Sequence, residues 1–357
     1  MLALVGKYPQ AQAAFERTLA QPYSFPGLRG SQIYRKISET LMQQHQQPLA
    51  HAALDQAEKV LNLPDGAGTL PERQEWIQIQ LARSNLIYWE NHPDQMDAII
   101  QKILPMIGDD GRPDQQVELL DQQWMSRLRH ERYRLSDETV EIARRKLELV
   151  NTLGVEYDIG WAQFHMGFSL LWHGDPQAAR AWMVKSYEAA VRMGASLLQV
   201  RNLAYLNVVS RQLKDINSLR EQCSHLFELA SVISEFSYQG ISLANQGWLA
   251  WRDGDLIRAE QLCKSANETW KQSGGNMFPW LADWVLLAIA VSQGDLGRAE
   301  YCAQALLEPN PLVQPLVEPV AAQLEEALCA CRNREDPEAA FECFKQALEM
   351  VKASGDL

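Results

Sequence analysis

The sequence predicts an all-α chain, an α-solenoid of about nine helix-turn-helix repeats with a period near forty residues. Three observations carry this prediction. A short turn signature recurs at fixed spacing, apolar residues between its copies fall at three- and four-residue intervals, and no stretch alternates as a strand would. Composition agrees, since the apolar fraction is 46% and the halves show no compositional break, so the prediction is a single domain over 1–357.

The turns follow in order. The first copies are Gly6 in GKYPQA, His45 in HQQPLA and Asn91 in NHPDQM, and Arg134 precedes LSDETVEIARRKLELV. From there the spacing is regular. Gly174-Asp175 with Ala179, the degenerate Lys214-Asp215 with Leu219, Gly254-Asp255 with Ala259, and Gly294-Asp295 with Ala299 succeed one another every forty residues. One more step reaches Arg334 in REDPEAA.

Pro9, Pro48, Pro93, Pro176 and Pro337 follow their turns closely, and proline is well tolerated in a first helical turn. Gly154, Gly194, Gly274 and Gly355 lie about twenty residues beyond a turn, where a helix C-cap belongs. Each unit is therefore helix A, tight turn, helix B, loop. The longer early periods are assigned to loops at 62–71 (NLPDGAGTLP) and 105–113 (PMIGDDGRP). EPNPLVQPLVEP, 308–319, is a proline-stiffened loop that leaves the period intact. Asp109-Asp110-Gly111 lacks the ligand spacing of a calcium loop.

At these positions the sequence resembles the tetratricopeptide repeat, TPR, which places a glycine at the interhelix turn and a small residue five later. The small position is alanine at Ala11, Ala50, Ala179, Ala259, Ala299 and Ala339, and Gly167 and Gly247 match the close-approach glycine seven residues before the turn. The resemblance implies a right-handed superhelix whose concave side is lined by A helices. The forty-residue period exceeds the usual TPR length, which implies longer helices. The segments RHERYRLSDETVEIARRKLELVNTLG (129–154) and GFSLLWHGDPQAARAWMVKSYEAA (167–190) further resemble the helical-repeat regions of multidomain bacterial signalling ATPases. These are the STAND and AAA-like proteins, in which P-loop domains join cyclases, kinases or DNA-binding regulators. The chain begins inside a repeat, at LALVGKY, and stops at KASGDL without a polar capping helix, so it is expected to be a segment of a longer protein.

Several function classes are disfavoured. A net charge of −12 argues against an extended nucleic-acid surface, which needs clustered Lys and Arg. No apolar run has the length of a membrane span and no signal pattern opens the chain, so a cytoplasmic protein without membrane attachment is expected. Cys223, Cys263 and Cys343 lie nine residues after their turns and Cys302 one residue off, which makes them helix-packing residues. Cys329 and Cys331 point to different sides of a helix. No phosphate loop, nucleophile elbow, HExxH or dinucleotide fingerprint occurs, the histidines are scattered, and neither catalysis, metal nor cofactor is predicted.

What remains is surface. Carried over by register from the TPR pattern, the groove-facing set is Tyr88, Trp89, Trp124, Trp161, Phe164, Phe168, Trp172, Trp248, Trp251 and Trp284. Arg201, Arg211, Arg252 and Arg332 are interleaved with them, with Arg35 nearer the start. Two readings stand side by side. In one, long helices bend the array tightly and the aromatics become core. In the other they line a binding groove, because Trp, Tyr and Arg offer large contact area with a polar handle. The groove reading predicts a non-catalytic interaction module holding a protein or peptide segment, from a partner or from other domains of the parent chain. The alternative is a sensor for a small-molecule effector stacked in the same groove.

Overall fold

A computed structural model describes residues 8–20, 27–44, 46–63, 68–272, 277–310, 312–332, 337–355 and 357. Every regular element among these is a helix, and none is long and apolar enough to cross a membrane. The turns at Gly6, His45 and Arg334 and the cap at Gly274 lie outside the described residues. The chain divides into two compact units, Met1–Glu131 and Arg132–Leu357. The division falls where the helical run breaks, at Arg132 and Tyr133, whose φ values are 47° and 60°.

The first unit holds α1 (Tyr8–Leu19), α2 (Leu28–Met42), α3 (Gln47–Leu61), α4 (Leu70–Trp89), α5 (Pro93–Asp110) and α6 (Pro113–His130). Hairpin partners pack in sequence, and α2, α4 and α6 also pack side by side as an A layer. Its core gathers Leu54, Ile77, Ile79 and Leu81, all fully buried. Between α2 and α4, Arg35 donates from Nε to Glu75 at 2.7 Å and from Nη1 to Glu39 at 2.6 Å.

The loop expected at 105–113 is largely helix. Met96, Ile100, Ile103 and Ile107 form one buried stripe that continues past Pro105, and Pro105 itself sits inside α5 on its exposed side. Burying that stripe outweighs the helix-breaking cost of proline, about 3 kcal/mol. Asp110, at the helix end, pairs with Arg73 at 2.6 Å, which holds its carboxyl below the usual range.

The second unit holds α7 (Asp137–Leu153), α8 (Glu156–His173), α9 (Pro176–Met193), α10 (Ser196–Gln212), α11 (Ile216–Val232) and α12 (Phe236–Arg252). It continues with α13 (Leu256–Gln272), α14 (Trp280–Ser292), α15 (Leu296–Leu307), α16 (Glu318–Arg332) and α17 (Pro337–Ser354). The A helices α8, α10, α12 and α14 stack in one layer.

The turn between α12 and α13 shows why the signature has its form. Gly254 takes φ 87°, which favours glycine, and its N–H bonds Trp251 O at 3.0 Å while the N–H of Asp255 bonds Ala250 O at 2.9 Å. The Asp255 side chain then accepts from Arg258 N at 3.1 Å and caps α13. Asp175, Asp215 and Asp295 cap their helices in the same way. Ala179, Ala259 and Ala299 are fully buried one turn on. A methyl group on Gly247 would come within 2.5 Å of Cys263 Sγ and 3.2 Å of Ala259 O, so the close-approach glycine is a steric requirement of the α12–α13 pair.

The last hairpin departs from this grammar. Ala340 and Phe344 are fully buried where the register placed Ala339 and Cys343, a one-residue shift. In addition, α17 packs against both α14 and α15.

Candidate functional site: the aromatic face of the second unit

On α8, Trp161, Phe164, Phe168 and Trp172 recur at intervals of three and four residues, which puts them on one side of the helix. Tyr205 of α10 packs its ring edge-on to Phe168 at 4.7 Å and lies 5.9 Å from Phe164. The sequence brought these residues to one face, and the structure gathers them into one cluster.

Much of that cluster is packed interior. Phe164, Phe168, Trp248 and Trp284 are buried, and Arg211 is 1% exposed, with Nη1 donating to Leu281 O at 3.1 Å and the guanidinium over Trp248 at 5.2 Å. These five lie in the interior of the unit and not at its surface. Trp161, Trp172, Trp251 and Arg201 stay half-buried, and Arg201 lies over the Trp161 ring at 5.0 Å.

Arg252 is exposed at the C-terminal end of α12. Arg332 is exposed at the end of α16. Tyr88, Trp89 and Trp124 belong to the first unit. There Tyr88 is buried under Arg129 at 4.0 Å, Trp124 is buried, and Trp89 is 51% exposed with its ring edge-on to Tyr88. Arg35, added nearer the start, is buried in its ion pair.

Closure at the Trp172 end comes from residues the repeat register did not single out. Phe278 stacks on Trp172 at 4.6 Å with the rings 17° apart, and Tyr133 meets Phe278 edge-on at 5.2 Å. Both lie outside helices, where helical periodicity gives no signal. Their aromatic character beside a proline and a charged turn, in FPW and RYR, was the available hint.

One part of the face remains open. Trp251 of α12, Ala288 and Val291 of α14, and Leu348 of α17 line a concavity of about 210 Å³, with Lys345 and Lys352 at its rim. Each lysine is paired along its own helix, Lys345 with Glu342 at 3.8 Å and Lys352 with Glu349 at 2.6 Å. The rim is therefore close to neutral and the walls are apolar. Another depression, of about 360 Å³, is lined by Asp55, Glu58, Lys59, Asn62 and Leu63 in the first unit.

Cys223, Cys263 and Cys302 are buried and behave as packing residues. Burial pushes the Cys263 thiol up to about 12 and Cys302 up to about 11, and raises Cys223 further, so each stays protonated near neutrality. Among the described residues no group of three or more His, Cys, Asp or Glu is gathered to hold a metal ion.

No family model and no curated protein matches this sequence. Solved structures do. A signal transduction ATPase with numerous domains from Pyrococcus horikoshii, carrying a tetratricopeptide repeat sensor, aligns at TM-score 0.59 and 14% identity over 85% of this chain. This chain spans 44% of that ATPase. A Rap protein complexed with competence and sporulation factor aligns at TM-score 0.54 and 13% identity, covering 79% of this chain and 78% of its own. The apo form of RapI aligns at TM-score 0.58 and 10% identity, covering 90% and 86%. The fold is that of a tetratricopeptide-type helical solenoid.

Proposed function

We propose that this chain is a non-catalytic interaction module, and that the concavity at Trp251 receives an apolar side chain of a bound peptide or protein segment. The observation that carries the proposal is that Trp251 stays half-buried beside an apolar opening while the neighbouring aromatics are packed away. A hollow of about 210 Å³ is smaller than the roughly 300–1,000 Å³ typical of enclosed small-molecule pockets, which favours a side-chain anchor over a small effector. The Rap neighbour, solved with a bound factor, and the ATPase neighbour with its repeat sensor support a regulatory module of this kind. In a parent signalling protein it would act as a sensor or autoinhibitory arm.

The test is co-purification with mass spectrometry of bound proteins and small molecules, repeated with Trp251→Ala and Val291→Glu. Both variants should keep the helical circular dichroism of the parent and lose the same protein partner. Two folded variants that retain every partner would end the proposal. A small molecule lost in place of a protein would establish the effector reading.

A further inference from the structure

The segment 308–317 between α15 and α16 carries the proline-rich stretch singled out in the sequence, and a set of donors and acceptors converges on it. Arg132 Nη2 donates to Asn310 O at 2.9 Å and to Val313 O at 3.0 Å, and Arg134 Nη2 donates to Pro315 O at 2.7 Å. Gln314 is held at three points. Its N–H donates to Met277 O at 2.9 Å, its Nε2 donates to Tyr133 O at 2.7 Å, and its Oε1 accepts from Trp280 Nε1 at 3.1 Å.

Three features distinguish this from an ordinary loop contact. The hydrogen bonds from Arg132 and Arg134 to the segment end on main-chain carbonyls, at a turn where Val313 N–H donates to Asn310 O at 3.1 Å, so they read backbone, while the Gln314 side chain is held as well. Arg132 and Tyr133 both hold positive φ, a conformation bulky residues rarely adopt and one that clusters at ligand clamps. The Arg132 Nε–H is also buried without an acceptor, so the loop leaves one donor of the fork unused. Backbone-directed donors suit proline-bearing segments, whose stiffness lowers the entropy lost on ordering.

We propose that Arg132, Tyr133, Arg134, Met277 and Trp280 form a recognition site for a proline-bearing peptide segment, which Asn310 and residues 312–317 occupy in cis and a partner segment of the same chemistry occupies in trans. The site is separate from the Trp251 concavity and stands or falls independently of it. A tethered segment has an effective concentration on the order of 1 mM, so against an intrinsic Kd of about 10 μM the cis contact weakens a competitor about 100-fold.

The probe is a fluorescein-labelled peptide EPNPLVQPLVEP, the sequence of 308–319, titrated by anisotropy into the full chain. Gln314→Gly loosens the cis clamp and should bind the peptide about 100-fold more tightly than the parent. Adding Arg132→Ala should remove that binding, and Trp251→Ala should leave it unchanged. A Gln314→Gly chain of native helicity with no saturable binding up to millimolar peptide, or with the parent's affinity, overturns the proposal. Hydrogen exchange at the Gln314 amide of the parent chain is the arm that needs no variant. Millimolar peptide should accelerate it by displacing the cis segment, and an unchanged rate overturns the proposal.

Discussion

Replacing Asp283 by asparagine tests how the A layer of the second unit tolerates a buried carboxyl. Asp283 lies on α14, 8% exposed, and accepts from Asn267 Nδ2 of α13 at 2.8 Å. Burial pushes its carboxyl up to about 6, against an ordinary 3.8, and the Asn267 donor offsets only part of this. The sign follows from which state releases its proton first. Below 3.8 both states are protonated and the group costs nothing. Between 3.8 and about 6 the unfolded chain ionises first, so stability falls as pH rises, and above about 6 the loss is constant. The difference of 2.2 between 6 and 3.8, at about 1.36 kcal/mol per unit, gives a loss of about 3 kcal/mol at neutrality. Asparagine keeps an oxygen for Asn267 and carries no charge.

Asp283→Asn should therefore match the parent near pH 4 and exceed it by up to about 3 kcal/mol at pH 7. Urea unfolding from pH 4 to 7, followed by tryptophan fluorescence, measures this directly. All tryptophans but Trp76, Trp89 and Trp124 lie in the second unit. A variant that tracks the parent at every pH, or loses stability at pH 7, would refute the assignment of the cost to desolvation.

Other perturbations follow from single contacts. Gly247→Ala forces a methyl group against Cys263 Sγ and the Ala259 carbonyl, and should cost about 1–3 kcal/mol. Part of that should be recovered in the double variant with Cys263→Ala, as a double-mutant cycle of urea midpoints would show. Glu75→Ala leaves the buried Arg35 guanidinium with Glu39 as its remaining carboxylate and should destabilise the first unit by about 1–3 kcal/mol in the same assay. Titration with a thiol reagent should modify exposed Cys329 first and leave Cys223 and Cys263 unreacted until unfolding, because both are buried and protonated.

How far the sequence reached can be judged residue by residue. The spacing of Gly174, Gly254 and Gly294, the buried alanines after them and the glycine at 247 are local requirements, and local requirements repeat visibly along a chain. Helix periodicity likewise placed Trp161 to Trp172 on one face. It erred at Pro105, where a continuing apolar stripe overrode the breaker, and at Ala339 and Cys343, where one residue of slippage moved the buried positions.

The state of the aromatic face was not legible, because it depends on groups distant in sequence. Phe278 stacks on Trp172 from more than a hundred residues away, Arg132 and Arg134 hold a segment about 180 residues further on, and α17 packs against α14. Periodicity fixes which side of a helix a residue occupies, since that is set within a few residues by backbone geometry. Whether that side meets solvent, a neighbouring helix or a returning loop is decided by packing between distant segments, so tertiary structure buried Trp284 and left Trp251 at the edge of an opening.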